Sequence, residues 1–406
     1  MSIAFDVSTF FASIGFIIVI GFLANLIFKR TKIPDVLLLM VLGLLLGPVL
    51  GLVDVSLFMQ YSSYFAAVAL MVILFEGGLH TDFHMLIRQS PRSFTLAIGC
   101  ILLSMFAVAP IMQRAFGWPP LYGLLLGAMI GGSSSPIVLS ITPGLTISKE
   151  PKTILNTEST LSDAMCIVIA IVLIEMIALG NYPLELAANR IVSSFSIGAV
   201  IGSIAGILWL LVLKRIKGKP FEYMVTLAVL MLVYAAIEKL MGSGAIGALA
   251  FGIVLGNSKV FSKLIGSRNK IVVDAVVKKF NLEISFLVRT FFFVYIGLLA
   301  TINDYMLVSV GIAIAVALLF IRALVVRISA AMSEITTREK WIMTAMMPRG
   351  LAAAVLSQFP LYYGLRYASS FNDIIFVVII TSIVISSLAF FTIKMRTSRK
   401  AKNSKF

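Results

Sequence analysis

The chain has 406 residues, of which 60% are hydrophobic and 13% charged, with a net charge of +15. Soluble domains carry about 25% charged and about 45–50% apolar residues, so these proportions exclude a soluble enzyme, a disordered chain and a secreted disulfide scaffold. With a mean hydropathy of +1.05 and about 20 residues needed per span, the chain reads as all-α: a polytopic membrane protein with no room for a soluble domain.

In chain order, about thirteen apolar segments are expected, at about 9–28, 36–52, 61–78, 93–112, 121–144, 154–179, 191–213, 223–240, 242–256, 282–301, 306–328, 341–363 and 374–393. The first has no basic region before it and no small-residue cleavage site after it, so it is expected to be a retained span. The ninth is short and rich in glycine, as a tilted or protein-buried helix would be. Cys100 and Cys166 lie inside apolar runs and read as packing residues. His80 and His84 are too few for a zinc cluster, and no cofactor is expected.

The basic residues fall almost wholly in loops after odd-numbered spans: Lys29, Arg30 and Lys32, then Arg88 and Arg92, Lys149 and Lys152, Lys214 to Lys219, Lys259 to Lys279, Arg338 and Lys340, and the tail from Lys394. After even-numbered spans stand Arg114, Arg190, Lys239 and Arg366. This asymmetry is the positive-inside pattern. It implies topology control rather than nucleic-acid binding, and places the N-terminus outside and the C-terminus in the cytoplasm of a cell inner (plasma) membrane.

Two spans are interrupted. Span 5 contains Gly131-Gly132-Ser133-Ser134-Ser135-Pro136, and span 12 contains Pro348-Arg349-Gly350. Either alone reads as a proline kink. As a pair seven spans apart, they occupy matching places in two inverted halves, spans 1–6 and 8–13, crossing near the midplane as in secondary transporters. No sequence identity links the halves; the repeat rests on the positions of the breaks.

Ionisable residues inside the spans are few: Glu76, Glu158, Asp163, Glu175, Arg289, Arg322 and Arg349, with Arg327 near a helix end. Such groups are expensive in a bilayer and point to function. Glu76 and Arg327 lie near helix ends and can snorkel, and Glu175 can reach water. Asp163 is different. Nine residues into span 6, it sits about 13 Å deep in a core about 30 Å thick. A carboxylate there must be protonated, paired or bound to a cation, and alternation between proton and cation is antiport. Ser159, four residues earlier, shares its face and adds a hydroxyl ligand. Backbone carbonyls at Ser133–Ser135 would complete the set. Glu158 points about 140° away. Its depth matches that of Arg322 on span 11, with Arg289 on span 10 as the competing partner. Arg349 in the second break either neutralises helix-end carbonyls or serves structure alone.

At these residues the chain resembles the monovalent cation:proton antiporters, nearest to the NhaP-type sodium/proton antiporters and the related sodium/proton exchangers. The likeness extends from about Phe10 to Phe390. It rests on Leu74-Phe75-Glu76-Gly77-Gly78-Leu79, the break ending in Pro136, Glu158-Ser159-Thr160-Leu161-Ser162-Asp163, Gly242 to Asn257, Arg322 and Pro348-Arg349-Gly350. The resemblance implies a homodimer with a core (about 93–179 and 306–393), a dimerisation part (about 9–78 and 223–301) and a linker helix (about 191–213). An antiporter domain would occupy 1–394, followed by a short basic tail, 395–406. The resemblance implies that the family's aspartate is Asp163, its serine Ser159, its glutamate Glu158 and its basic residue Arg322; the residues themselves add Ser134, Ser135 and Ser162 as candidate ion ligands and Arg289 and Arg349 as ion-pair or structural residues. Two departures stand out. Ser162 precedes Asp163 where the family commonly has Asn or Asp, and Ser134-Ser135-Pro136 replaces the common Thr-Asp-Pro. The expected function is exchange of Na⁺ (or Li⁺ or K⁺) for H⁺, electroneutral because one carboxylate titrates. The alternatives are a potassium/proton antiporter or potassium efflux system, and an organic-anion symporter on the same fold. An intramembrane enzyme is disfavoured by the lack of HExxH and GxGD motifs.

Overall fold

The structure, a computed structural model, describes residues 15–24, 26–27, 34–51, 55–80, 91–142, 145, 147–180, 184–216, 219, 221–264, 275–300, 304–331 and 333–403. The basic residues Lys29, Arg30, Lys32, Arg88, Lys217, Arg268 and Lys270, and His84, lie outside the described residues. Every regular element among those described is helical: α1 (Gly15–Ala24), α2 (Asp35–Leu44) running into a π-turn (Leu45–Val49), α3 (Val55–His80), α4 (Pro91–Phe116), α5 (Pro120–Met129), α6 (Ser135–Ile141), α7 (Lys149–Leu179), α8 (Leu184–Ile216), α9 (Glu222–Lys239), α10 (Gly244–Gly256), α11 (Ser258–Leu264), α12 (Ala275–Leu299), α13 (Tyr305–Ser329), α14 (Thr337–Ala345), α15 (Leu351–Leu356), α16 (Phe359–Tyr362) and α17 (Ala368–Asn403).

Segments of α4, α7, α8, α13 and α17 are long and apolar enough to cross a membrane. The shorter apolar helices include α5, α10 and the pair α15–α16. Span 5 is divided into α5 and α6, and span 12 into α14, α15 and α16. The basic segment after Lys394 continues α17 as helix to Asn403.

Two compact units divide the chain. One comprises Tyr64–Pro91 and Ile167–Val288. Its core explains the short ninth span. Helix α10 is buried, with Ala248, Phe251 and Leu255 wholly inaccessible. Glycines make this possible. Gly198, Gly202 and Gly206 repeat every four residues along one face of α8. A Cβ on Gly202 would lie 2.8 Å from the Gly247 Cα, and one on Gly206 would lie 2.9 Å from the Val254 Cβ. On the side facing α3, a Cβ at Gly252 would stand 3.2 Å from the Gly78 Cα. Small residues let helix backbones approach where lipid supplies no hydrophobic drive.

The other unit comprises Met1–Ser63, Arg92–Cys166 and Arg289–Phe406. Here Gly123 and Gly127 bring α5 against Ala109 and Met105 of α4, and Gly311 brings α13 against Val377 of α17. Polar contacts tie one end of this unit. Arg92 at the start of α4 bonds Glu150 at the start of α7. Ser329 Oγ, at the end of α13, donates to the Arg92 carbonyl at 2.9 Å. Thr336 and Glu339 form a capping box at the start of α14, and Glu339 Oε1 also accepts from the Ser148 N–H at 2.7 Å.

Burial opposes charge on Glu339, but the hydrogen bonds from Ser148 and Thr336 outweigh it and hold the carboxyl down at about 2. A carboxyl depressed on folding stabilises the fold at pH above its ordinary value, and that contribution fades as pH falls towards the folded value. Thermal unfolding in detergent should therefore show wild-type protein losing stability between about pH 4.5 and about pH 2. Glu339→Gln should be less stable at pH 7, with the gap to wild type closing over that acid window. A gap that stays constant with pH would show that the carboxylate does not hold the two segments together.

Candidate functional site

The site lies within one compact unit, where the two breaks meet α7 and α13. An α-helix bonds each N–H to the carbonyl four residues earlier, so a break frees a definable set of groups. Helix α5 stops at Met129 and α6 starts at Ser135. Pro136 has no N–H to offer Gly132, which is one reason the helix cannot continue. A Cβ on Gly132 would lie 2.8 Å from Cys166 Sγ and 3.1 Å from the Ser162 carbonyl oxygen, so a glycine is needed for α7 to pass.

Several of the freed groups find partners across the site. The Ser133 N–H bonds Ser162 Oγ at 3.1 Å. The Ser134 N–H bonds the Pro348 carbonyl at 2.7 Å, joining the first break to the second. The Ser135 N–H bonds Asp163 Oδ2 at 3.0 Å, and Ser135 Oγ donates to the same oxygen at 2.6 Å. Arg349 bonds the Gly131 carbonyl at 2.9 Å and also the Gly132 carbonyl. In the second break, the Arg349 N–H is taken by Ser382 Oγ of α17 at 2.9 Å. Gly350 faces Ser134 so closely that a Cβ there would overlap the serine side chain.

Asp163 is half-buried, whereas Ser133, Ser134, Ser159 and Ser162 are buried. Ser162 Oγ also reaches the Ser159 carbonyl at 3.2 Å. Ser159 Oγ donates back to the Asn156 carbonyl at 3.1 Å, which leaves the lone pairs of a hydroxyl as its further bonding capacity. The oxygens of Asp163, Ser135 and Ser159 are the type a hard monovalent cation takes.

Glu158 forms a separate constellation. Arg322 Nη1 and Nη2 bond its two oxygens at 3.2 and 3.0 Å, a bidentate pair in which both side chains are wholly inaccessible. Arg322 Nε donates to the Met343 carbonyl of α14 at 3.0 Å. Arg289, the competing partner by depth, is of intermediate exposure on α12. Ser133 Oγ sits 2.9 Å from both Glu158 oxygens. Sequence reasoning passed over this hydroxyl and Ser382. The available signal was the string of small polar residues in otherwise apolar helices: three consecutive serines in span 5, and Thr381, Ser382, Ser386 and Ser387 in span 13.

Residues 7–394 match the family described as "Sodium/hydrogen exchanger, transmembrane". A "K(+)/H(+) antiporter NhaP2" of Shewanella sp. (strain MR-4) is 27% identical over 403 residues, 95% of this chain and 67% of the relative. A "Probable Na(+)/H(+) antiporter 2" of Methanocaldococcus jannaschii is 25% identical over 345 residues, 81% of this chain and 79% of the relative. The solved structure of the sodium proton antiporter MjNhaP1 from M. jannaschii superposes with a TM-score of 0.78 at 20% identity, over 94% of this chain and 99% of that one. It has the same fold.

The Glu158–Arg322 geometry makes a measurable claim. Removing one partner of a buried pair leaves an uncompensated charge, at a cost of about 3–5 kcal/mol. Glu158→Gln and Arg322→Gln should each lower the unfolding temperature, and the double variant should recover part of the loss. Additive losses in that double-mutant cycle would show that the two side chains do not interact.

Proposed function

For a chain that belongs to the transmembrane sodium/hydrogen exchanger family, whose activity is monovalent cation/proton antiport, we propose that Asp163 is the group on which proton and cation compete. The observation that carries this reading is the seat of its carboxylate: one oxygen accepts both the N–H and the hydroxyl of Ser135 at the start of α6. The half-helix N-terminus favours negative charge there. Dehydrated cation and proton are then alternatives for the same carboxylate. With a cation bound, the Ser135 hydroxyl turns its proton away and offers a lone pair. Ser134, Ser159 and Ser162 supply further oxygens or hold the break in shape. The neutralised site crosses the membrane, and the bare carboxylate does not.

Na⁺ is the proposed cation, since small hydroxyl and carboxylate ligands suit it and Li⁺. A second reading, K⁺, is favoured by the names of the Shewanella relatives. The proposed cycle has a homodimer in which the core (about 93–179 and 306–393) moves against the dimerisation helices by alternating access, in the plasma membrane with the C-terminus inside.

Exchange is proposed to be electroneutral. The residue before Asp163 is Ser162 and the break holds Ser135, neither of which titrates. Arg322 keeps its charge and is engaged with Glu158. One negative charge then carries one H⁺ or one cation.

Proteoliposomes loaded with a pH dye and given Na⁺, Li⁺, K⁺ and Rb⁺ in turn test the first part. Wild type should move protons in response to at least one ion, and Asp163→Asn should move none while still inserting. Cation-driven proton flux retained in Asp163→Asn would sink the assignment. A membrane potential of about 100 mV, worth about 2.3 kcal/mol per charge moved, tests the second part. Exchange rate and final cation gradient should be insensitive to it, whereas a steep voltage dependence would mean that a second proton is carried.

A further inference from the structure

Helices α13 and α14 are consecutive and pack against each other. On the outer side of the pair lies a cavity of about 80 Å³ lined by Ala323, Arg327, Thr337, Lys340, Trp341 and Thr344. Thr337, Lys340, Trp341 and Thr344 follow the i, i+3, i+4, i+7 spacing of one helix face. Ala323 and Arg327 stand one turn apart on α13, and the small side chain of Ala323 leaves the gap open. The opposite face of α14, with Glu339, Ile342 and Met343, is buried.

Two cations therefore converge on one groove. Neither Arg327 nor Lys340 forms an ion pair with an acid among the described residues. The acid beside Lys340 in the sequence, Glu339, is turned to Ser148 and Thr336. Trp341 is 63% exposed beside the groove, the position an indole takes at the headgroup level. About one and two turns deeper than Arg327, α13 presents Leu324 and Phe320, both exposed, with Ile328 exposed beside Arg327 at the helix end. The surface thus runs from a cationic notch to an apolar strip, in the order headgroup then acyl chain. Loop charges that only set topology have no need to meet in a cavity beside an exposed tryptophan.

We propose that this groove binds the phosphodiester of an anionic phospholipid, with Arg327 and Lys340 holding the phosphate, Trp341 flanking the glycerol region and the outer face of α13 carrying an acyl chain. Basic pockets between helices at the cytoplasmic side of a membrane take such headgroups. The position gives the lipid leverage. Arg322 Nε bonds the Met343 carbonyl, and the Thr344 hydroxyl bonds the Lys340 carbonyl at 2.9 Å. A phosphate bridging Arg327 and Lys340 fastens α13 to α14 immediately before the second break, the segment from Met346 to Gly350.

The test is thermal unfolding and native mass spectrometry of the full chain in detergent, titrated with phosphatidylglycerol, phosphatidylcholine and inorganic phosphate. Phosphatidylglycerol should bind and raise the unfolding temperature, and the other two should not at equal concentration. Arg327→Gln or Lys340→Gln should weaken phosphatidylglycerol binding about fivefold each, and the pair about thirtyfold. Arg327→Lys with Lys340→Arg, which keeps both charges, should retain binding, and this charge-keeping variant decides the matter if the neutral pair is too unstable to purify. An undiminished phosphatidylglycerol response in the neutral pair overturns the proposal. So does loss of binding in the charge-keeping pair, or an equal response to inorganic phosphate, which would identify a phosphate site without a lipid role.

Discussion

A backbone amide or carbonyl that loses its helical partner inside a bilayer must find another within the protein, because no water is there to take it. The site in this chain is the consequence of that constraint applied twice. Breaking span 5 frees N–H groups at Ser133, Ser134 and Ser135 and carbonyls at Gly131 and Gly132. Their partners are Ser162, Pro348, Asp163 and Arg349. Breaking span 12 frees the Arg349 N–H, which goes to Ser382. These partners belong to α7, α17 and the opposite break. Satisfying the backbone is therefore the same act as assembling the crossing.

Glu158 and Asp163 of α7 are separated by this arrangement. Glu158 and Asp163 lie five residues apart, far enough round the helix to meet different neighbours. Glu158 meets a guanidinium and a hydroxyl in a fully buried setting. A pair of that kind adds little stability compared with an apolar contact, but it fixes how α7 and α13 lie against each other. Asp163 meets an amide and a hydroxyl, which are neutral donors, at a half-buried position. One carboxylate is neutralised by the protein itself. The other, which has the Ser135 N–H and hydroxyl among its donors, is the carboxylate on which proton and cation are proposed to compete.

Much of this was legible in the sequence because membrane burial makes each polar residue expensive. Asp163 stood out by depth alone, Glu158 and Arg322 by depth and opposite sign, and the breaks by Gly and Pro in runs that should otherwise be helical. The short glycine-rich ninth span, read as tilted or buried, proved to be a buried helix packed through Gly247 and Gly252. What depth could not reveal was rotation and crossing. Ser133 and Ser135 are two residues apart in one break, yet one serves Glu158 and the other Asp163. Ser382 meets Arg349 only because α17 passes behind the second break. The face shared by Ser159 and Asp163 was readable from helical spacing, but not that the serine hydroxyl donates back to Asn156.

The central claim is that one carboxylate binds either a proton or a cation. It is tested most directly by cation binding to purified protein as a function of pH, with the protons released into weakly buffered solution counted in the same titration. One shared site predicts an apparent affinity that falls about tenfold per pH unit on the acid side and levels off on the alkaline side, with release approaching one proton per cation bound at low pH. Asp163→Asn should neither bind the cation nor release the proton. A cation affinity independent of pH, or proton release that survives in Asp163→Asn, would contradict the account.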